Sequence, residues 1–274
     1  MTRVHISVDM EGVAGVAADR QVRRGEHDYE LMRALMTDEA SAAVAGSFDA
    51  GATHVVVADS HGDMANLLPD RLDPRAALLI GSPKVPWGMM QGIDESFDLA
   101  MFIGYHAAAG TADAAFEHTM SSATFAAVVV NGVLWSESHL CAATAGKFGV
   151  PVGLLAGDDV VCSEVKTWLP EICTVATKVS HGRHVIESLH PSRACALIRE
   201  AAADAVRQRA AMRPWQPPRP FAIEAEFNSS VMAEAATMLP GSTRTGPRSV
   251  TYEAADVLGV HCAMRCWVAL ARSV

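Results

Sequence analysis

A chain of 274 residues that is 50% hydrophobic and 19% charged can bury a large core, as one large domain or as a domain with a smaller lobe. The formal net charge is −9 with no Lys/Arg cluster, which argues against a nucleic-acid partner. No apolar run reaches bilayer length and the first residues lack a leader pattern, so no membrane partner is expected and the cytoplasm is the expected compartment.

The first expected strand is Val4–Val8, and an Ala-rich stretch, Tyr29–Ala50, reads as a helix closed by Gly51. Further strands are expected at His54–Ala58, Leu99–Gly104, Thr124–Val130 and Val152–Leu155. Val, Ile and Leu on both faces of these runs suit a sheet covered on each side by helices. Asn131-Gly132 between apolar runs is a hairpin signal, which predicts an antiparallel excursion in an otherwise parallel sheet. Glu137–Phe148 reads as a helix stopped by Gly149, and Ser192–Ala211 as another. The proline-rich run Arg213–Pro220 cannot continue that helix. Beyond it, Phe221–Phe227 and Ser249–Glu253 read as strands and Ala254–Arg272 as a terminal helix. The expected fold is three-layer α/β/α with a mostly parallel, mixed sheet and a smaller C-terminal α+β lobe. The expected division is a metal-binding catalytic domain over 1–212 and a lobe over 213–274 packed on it.

The polar residues sit where the apolar strands end. Val4–Val8 runs into Asp9-Met10-Glu11-Gly12, Val55–Ala58 into Asp59-Ser60-His61-Gly62, and Leu99–Gly104 into Tyr105-His106. In open parallel sheets, ligands bind beyond the carboxyl ends of the strands. Asp9 and Glu11, two apart, leave the same face of an extended backbone, and their mutual repulsion is relieved by a divalent cation between them. Taken singly, Asp9 reads equally well as a strand-end residue, and His61 and His106 as satisfied polar histidines. Their convergence points to a metal, with zinc first and manganese or cobalt as alternatives. Two carboxylates and two histidines exceed what one catalytic zinc needs, which suggests two ions bridged by Asp9. Glu137 on its own reads as a first-turn helix residue. The six cysteines form no CxxC pair and read as reduced, small apolar residues. Dinucleotide, P-loop, Gly-x-Ser-x-Gly and His-Glu-x-x-His motifs are absent.

At Ser7-Val8-Asp9-Met10-Glu11-Gly12 the chain resembles the D-aminopeptidase family, peptidase family M55. The likeness continues through Asp59-Ser60-His61, Gly104-Tyr105-His106, His118-Thr119-Met120, Asn131–Glu137, Ala156–Asp159 and Met238–Gly241. The resemblance implies an α/β domain with a two-zinc site, Asp9 bridging and Glu11, His61, His106 and Glu137 completing the shell. It places the catalytic histidine at His118 and implies a large ring-like homo-oligomer, on the scale of a decamer. Ser136 stands where the family usually has a glycine.

The expected chemistry is hydrolysis of an N-terminal D-amino-acid peptide bond by a metal-activated water, with His118 as acid–base group or as direct nucleophile. The expected partner is a small peptide or amide. Rival readings are a related metallo-amidase or L-peptidase, a phosphoesterase, and a non-catalytic metal- or peptide-binding protein. A phosphoesterase wants Arg or Lys beside the metals, and none adjoins these motifs. Asp59 is expected to orient a ligand or to cap a turn, and Asp158 and Asp159 to start a helix. His139 is expected to point away from the site, and His181 and His184 to begin a surface helix.

Overall fold

Every side chain of the first strand from Val4 to Val8 is buried, on both faces, which is the environment its Val/Ile pattern demands. The computed structural model describes residues 1–274. In chain order the strands are β1 (Thr2–Val8), β2 (Ala52–Asp59), β3 (Ala77–Leu79), β4 (Leu99–Tyr105), β5 (Phe125–Val130), β6 (Val133–Leu134), β7 (Val152–Asp158), β8 (Cys173–Ser180), β9 (Ile186–Ser188), β10 (Phe221–Phe227), β11 (Thr243–Arg244) and β12 (Ser249–Ala254). The helices are α1 (Asp19–Val22), α2 (Tyr29–Asp49), α3 (Glu137–Lys147), α4 (Asp159–Trp168), α5 (Pro191–Gln208), α6 (Ser230–Ala236) and α7 (Val257–Ala271). None is long and apolar enough to cross a membrane.

The main sheet has the order β3-β2-β1-β4-β7-β8-β9. It is parallel except for β9, which pairs antiparallel with β8. One face carries Val4, Ile6, Val8, Val57, Met101 and Ile103 in a core shared with α2 and α5. The other carries Ala100, Phe102 and Leu155 against Cys141 and Ala145 of α3 and Val161 and Val165 of α4. Helices therefore cover both faces, giving the expected three-layer α/β/α domain.

The second sheet, β11-β12-β10-β5-β6, is antiparallel throughout. Its inner face packs Phe125, Val128, Phe221 and Phe227 against Trp267 and Val260 of α7. The Asn131-Gly132 hairpin forms as its turn chemistry requires, with φ of 51° and 79°. It lies in this second sheet, beside β10, and the antiparallel excursion of the main sheet is β9 instead. A turn signal pairs two strands with each other but does not choose the third strand that takes the open edge.

Two other expectations need correction. His181 and His184 lie in the β8–β9 turn and start no helix, because Ser180 and Ile186 pair across it. The terminal helix begins at Val257, since β12 continues to Ala254 and Asp256 caps the helix by accepting from the Gly259 N–H. All six cysteines are free thiols.

Candidate metal centre

The three strands that end in candidate ligands are neighbours, in the order β2-β1-β4, and all run parallel. Their carboxyl ends deliver Asp9, Glu11, His61 and His106 to one crevice. Glu137 arrives from the first turn of α3. All five are buried, none more than 8% exposed.

The loop after β1 lies against β4 without room for side chains. A Cβ on Gly12 would come within 2.0 Å of the Tyr105 carbonyl oxygen, and one on Gly104 within 2.1 Å of the Asp9 carbonyl oxygen. That close approach lets Asp9 N donate to Ile103 O at 2.8 Å and Gly12 N to Gly104 O at 2.7 Å. The buried Lys178 of β8 holds the same loop from behind. Its ammonium donates to the carbonyl oxygens of Glu11, Val13 and Val16. Burial pushes its pKa down to about 8, against the pull of Asp158, Glu39 and Glu11. A second buried ammonium, Lys84, donates to the carbonyl oxygens of Asp59 and Leu79 at the end of β2.

The histidines share one wiring. His61 Nε2 lies 2.7 Å from the Val22 carbonyl, His106 Nδ1 3.0 Å from that of Ala107, and His118 Nδ1 2.8 Å from that of Phe116. A carbonyl only accepts, so each of these nitrogens carries the hydrogen. The opposite nitrogens face carboxylates. His61 Nδ1 is 2.9 Å from Glu11 Oε2 and 3.2 Å from Asp9 Oδ1. His106 Nε2 is 3.3 Å from Asp9 Oδ2 and 3.5 Å from Glu137 Oε2, and it is buried with no hydrogen-bond partner. His118 Nε2 is 3.6 Å from Glu137 Oε1. Lone pairs aimed at carboxylates are repulsive unless a positive charge lies between them.

Two groups of candidate ligand atoms result: Asp9, Glu11 and His61; and His106, His118 and Glu137. Asp9 turns one oxygen to each group. Its carboxyl is raised above the usual range by burial and by the Glu11 charge. Burial, the largest effect on Glu11, would raise it, but the opposing pull of His61 takes it well below normal. His61 and His106 are both held well above the usual imidazole value: burial opposes this, and the carboxylates Glu11 and Glu137 override it. The field thus calls for positive charge at both groups, and the mixed N/O donors are those zinc accepts.

The supporting residues differ in part from expectation. Asp59 accepts from the Asn66 and Leu67 N–H groups, and Asn66 Nδ2 donates to His61 O at 2.6 Å. Asp59 therefore steadies the His61 backbone, whereas the ring is set by the Val22 carbonyl. Asp158 caps α4 by accepting from the Val160 and Val161 N–H groups. Asp159 follows as its first residue and accepts from the Ser180 N–H. His139 points away from the site, stacked on Trp168 and bonded to the Ser136 hydroxyl, and burial takes it down to about 3. The Met120 N–H donates to Glu137 Oε1 at 2.6 Å. Backbone partners such as Val22 and Met120 carry no side-chain signature, so nothing in the sequence marks them.

A cavity of about 710 Å³ opens over the cluster. His118 reaches it, its side chain 15% exposed and stacked on His106 at 4.0 Å between centroids. Four arginines also line it: Arg23, Arg183, Arg265 and Arg272. No motif at the strand ends foreshadowed them, because they come from the end of α1, the β8–β9 turn, and α7 with the residue that follows it.

A family model for D-aminopeptidase, Peptidase M55, matches residues 2–266. The D-aminopeptidase of Bacillus subtilis (strain 168) is 36% identical over 270 residues, spanning 98% of this chain and 97% of that protein. The solved structure of the Zn-dependent D-aminopeptidase DppA from Bacillus subtilis, described as a self-compartmentalizing protease, is similar at a TM-score of 0.95 and 35% identity. That alignment covers 100% of this chain and 99% of that one.

Proposed function

Because the chain belongs to the D-aminopeptidase family, peptidase family M55, we propose that it is a zinc-dependent aminopeptidase that hydrolyses the N-terminal D-amino-acid peptide bond of short peptides. The observation that carries this reading is the shared wiring of the histidines, each with one ring N–H on a carbonyl and the other nitrogen on carboxylates. Metal-bound histidines are oriented in this way.

Asp9, Glu11, His61, His106 and Glu137 would hold two zinc ions, with Asp9 between them. Manganese and cobalt are the alternatives for such a donor set. When bound, the ions supply Lewis acidity and bring the pKa of water toward about 7. The chain's own residues do the rest. His118 keeps its Nδ1 hydrogen on the Phe116 carbonyl, which leaves Nε2 to take up a proton and return it to the departing amine. The Met120 N–H holds the Glu137 carboxylate beside it. Buried ligands and a cavity around them limit bulk water at the reacting bond. The assembly proposed for the chain is a ring-like homo-oligomer, in keeping with the self-compartmentalizing relative.

The test is metal analysis of the purified protein together with turnover of D-alanyl peptides, L-alanyl peptides and simple amides. We expect two zinc ions per subunit and cleavage confined to the D-peptides. Cleavage of L-peptides or simple amides instead would favour the related metallo-amidase. A zinc-loaded protein inert across the panel would be a binding protein.

A further inference from the structure

We propose that Arg265 of α7 and Arg272, which follows the helix directly, form an anion-binding subsite that takes the C-terminal carboxylate of a short peptide. The inference rests on the reading of the site as an aminopeptidase and deepens it, naming free-acid peptides as the substrate class.

Among the four arginines lining the cavity, two are already committed. Arg23 pairs with Asp19, and Arg183 with Glu117. Arg265 and Arg272 form no ion pair. The only side-chain hydrogen bond of Arg265 is from Nη1 to the Lys84 carbonyl oxygen, at 2.9 Å. A guanidinium has five N–H donors, so most of its fork stays free in a half-buried setting. Arg272 is exposed at the end of the same helix.

These residues share one wall. Positions 261, 265 and 272 are separated by near-whole numbers of turns of roughly 3.6 residues, so they lie on one helical face. His261 anchors that face, bonded to Thr144 Oγ1 at 2.8 Å and packed edge-on against Trp87 at 5.7 Å. The wall adjoins the metal ligands through a short stretch of chain. Ser60, the neighbour of His61, donates to the Met89 carbonyl at 3.1 Å. Gly88 comes next, and a Cβ there would sit 3.8 Å from Arg265 Nη1. This places the backbone of Gly88 beside the guanidinium, at a positive φ of 55°.

The cavity lining therefore includes the carboxylates Asp9, Glu11 and Glu137 together with two arginines that form no ion pair, Arg265 and Arg272. A short peptide with a free amino group and a free carboxylate carries the complementary charges. Each residue of an extended peptide adds roughly 3.3–3.6 Å, so an arginine at a fixed place also selects length. Guanidinium–carboxylate pairing is charge-assisted and bidentate, and it strengthens away from bulk water.

The test compares acid and amide ends on the zinc-loaded protein. Calorimetric titration uses N-acetyl-glycyl-D-alanine and its C-terminal amide, which lack the free amino group an aminopeptidase needs. Kinetics use D-alanyl-glycine and D-alanyl-glycinamide. The wild type is expected to bind the acid roughly 10–100-fold more tightly than the amide. In Arg265→Gln that preference disappears while amide binding stays, and KM for D-alanyl-glycine rises with kcat little changed. Arg272→Gln shifts both in the same direction by less. Equal binding of acid and amide by the wild type, or an equal loss of both in Arg265→Gln, overturns the subsite. Absence of cleavage with the binding preference intact would count against the D-aminopeptidase reading and leave the subsite standing.

Discussion

His61, His106 and His118 would be unremarkable as isolated histidines; what distinguishes them is which nitrogen each commits to the backbone. Because carbonyls fix a hydrogen on one side, the other nitrogen meets the carboxylates either protonated or with a cation between. His118 differs from the other two in being the most exposed of the three and in lying beside one carboxylate only, Glu137. That position suits proton transfer better than shell completion. Replacing His118 with Ala is expected to lower kcat by roughly 10²–10⁴-fold with zinc content near wild type. Its closeness to His106 and Glu137 makes the opposite outcome meaningful: loss of zinc from the variant would assign His118 as a ligand.

At the scale of elements, the loop from Asp9 to Val16 is held by contacts with other strands. Gly12 and Gly104 interlock it with β4, and Lys178 gathers three of its carbonyls from β8. Removing the ammonium leaves those carbonyls without their partner in a buried place. Lys178→Met is expected to cost about 2–5 kcal/mol of stability, measured by urea unfolding. It should also weaken zinc binding in a chelator competition, because Glu11 sits on the freed loop. Unchanged zinc affinity in a destabilised variant would confine Lys178 to a structural role.

For the whole molecule, the two sheets and their helices bury several groups that water would ionise. His5 and His261 are both taken down to about 4, chiefly by burial. The unfolded chain binds these protons near pH 6.5, and the folded chain resists them until about pH 4. The unfolded state therefore holds more protons across that window. The stability these residues confer is complete above about pH 6.5 and falls as pH drops, by about 1.4 kcal/mol per pH unit for each. At fixed zinc and protein concentration, the urea midpoint of His261→Gln is expected to fall less steeply than wild type between about pH 6.5 and about pH 4.5. Parallel curves would mean that His261 titrates normally in the folded protein.

Much of this was legible in the residues because the governing patterns are local. Val4–Val8, Val55–Ala58 and Leu99–Gly104 are apolar on both faces, and a buried strand followed at once by Asp, Glu or His is a local feature of the chain. Phe221–Phe227 was readable as a strand to its last residue, and Asn131-Gly132 as a turn. The partners were not legible. Whether β5 and β6 join the main sheet or the second depends on an edge offered by β10, some ninety residues away. The Val22 carbonyl, the Met120 N–H and the Lys178 ammonium act on ligands distant in sequence, and the first two have no side chain to announce them. Arg265 and Arg272 entered the cavity only because α7 packs beside α3. The sequence by itself determined which groups stand at the ends of strands, since period and polarity are properties of neighbouring residues. Only the tertiary structure decided what surrounds those groups, since hydrogen-bond partners and cavity walls are set by distance in space.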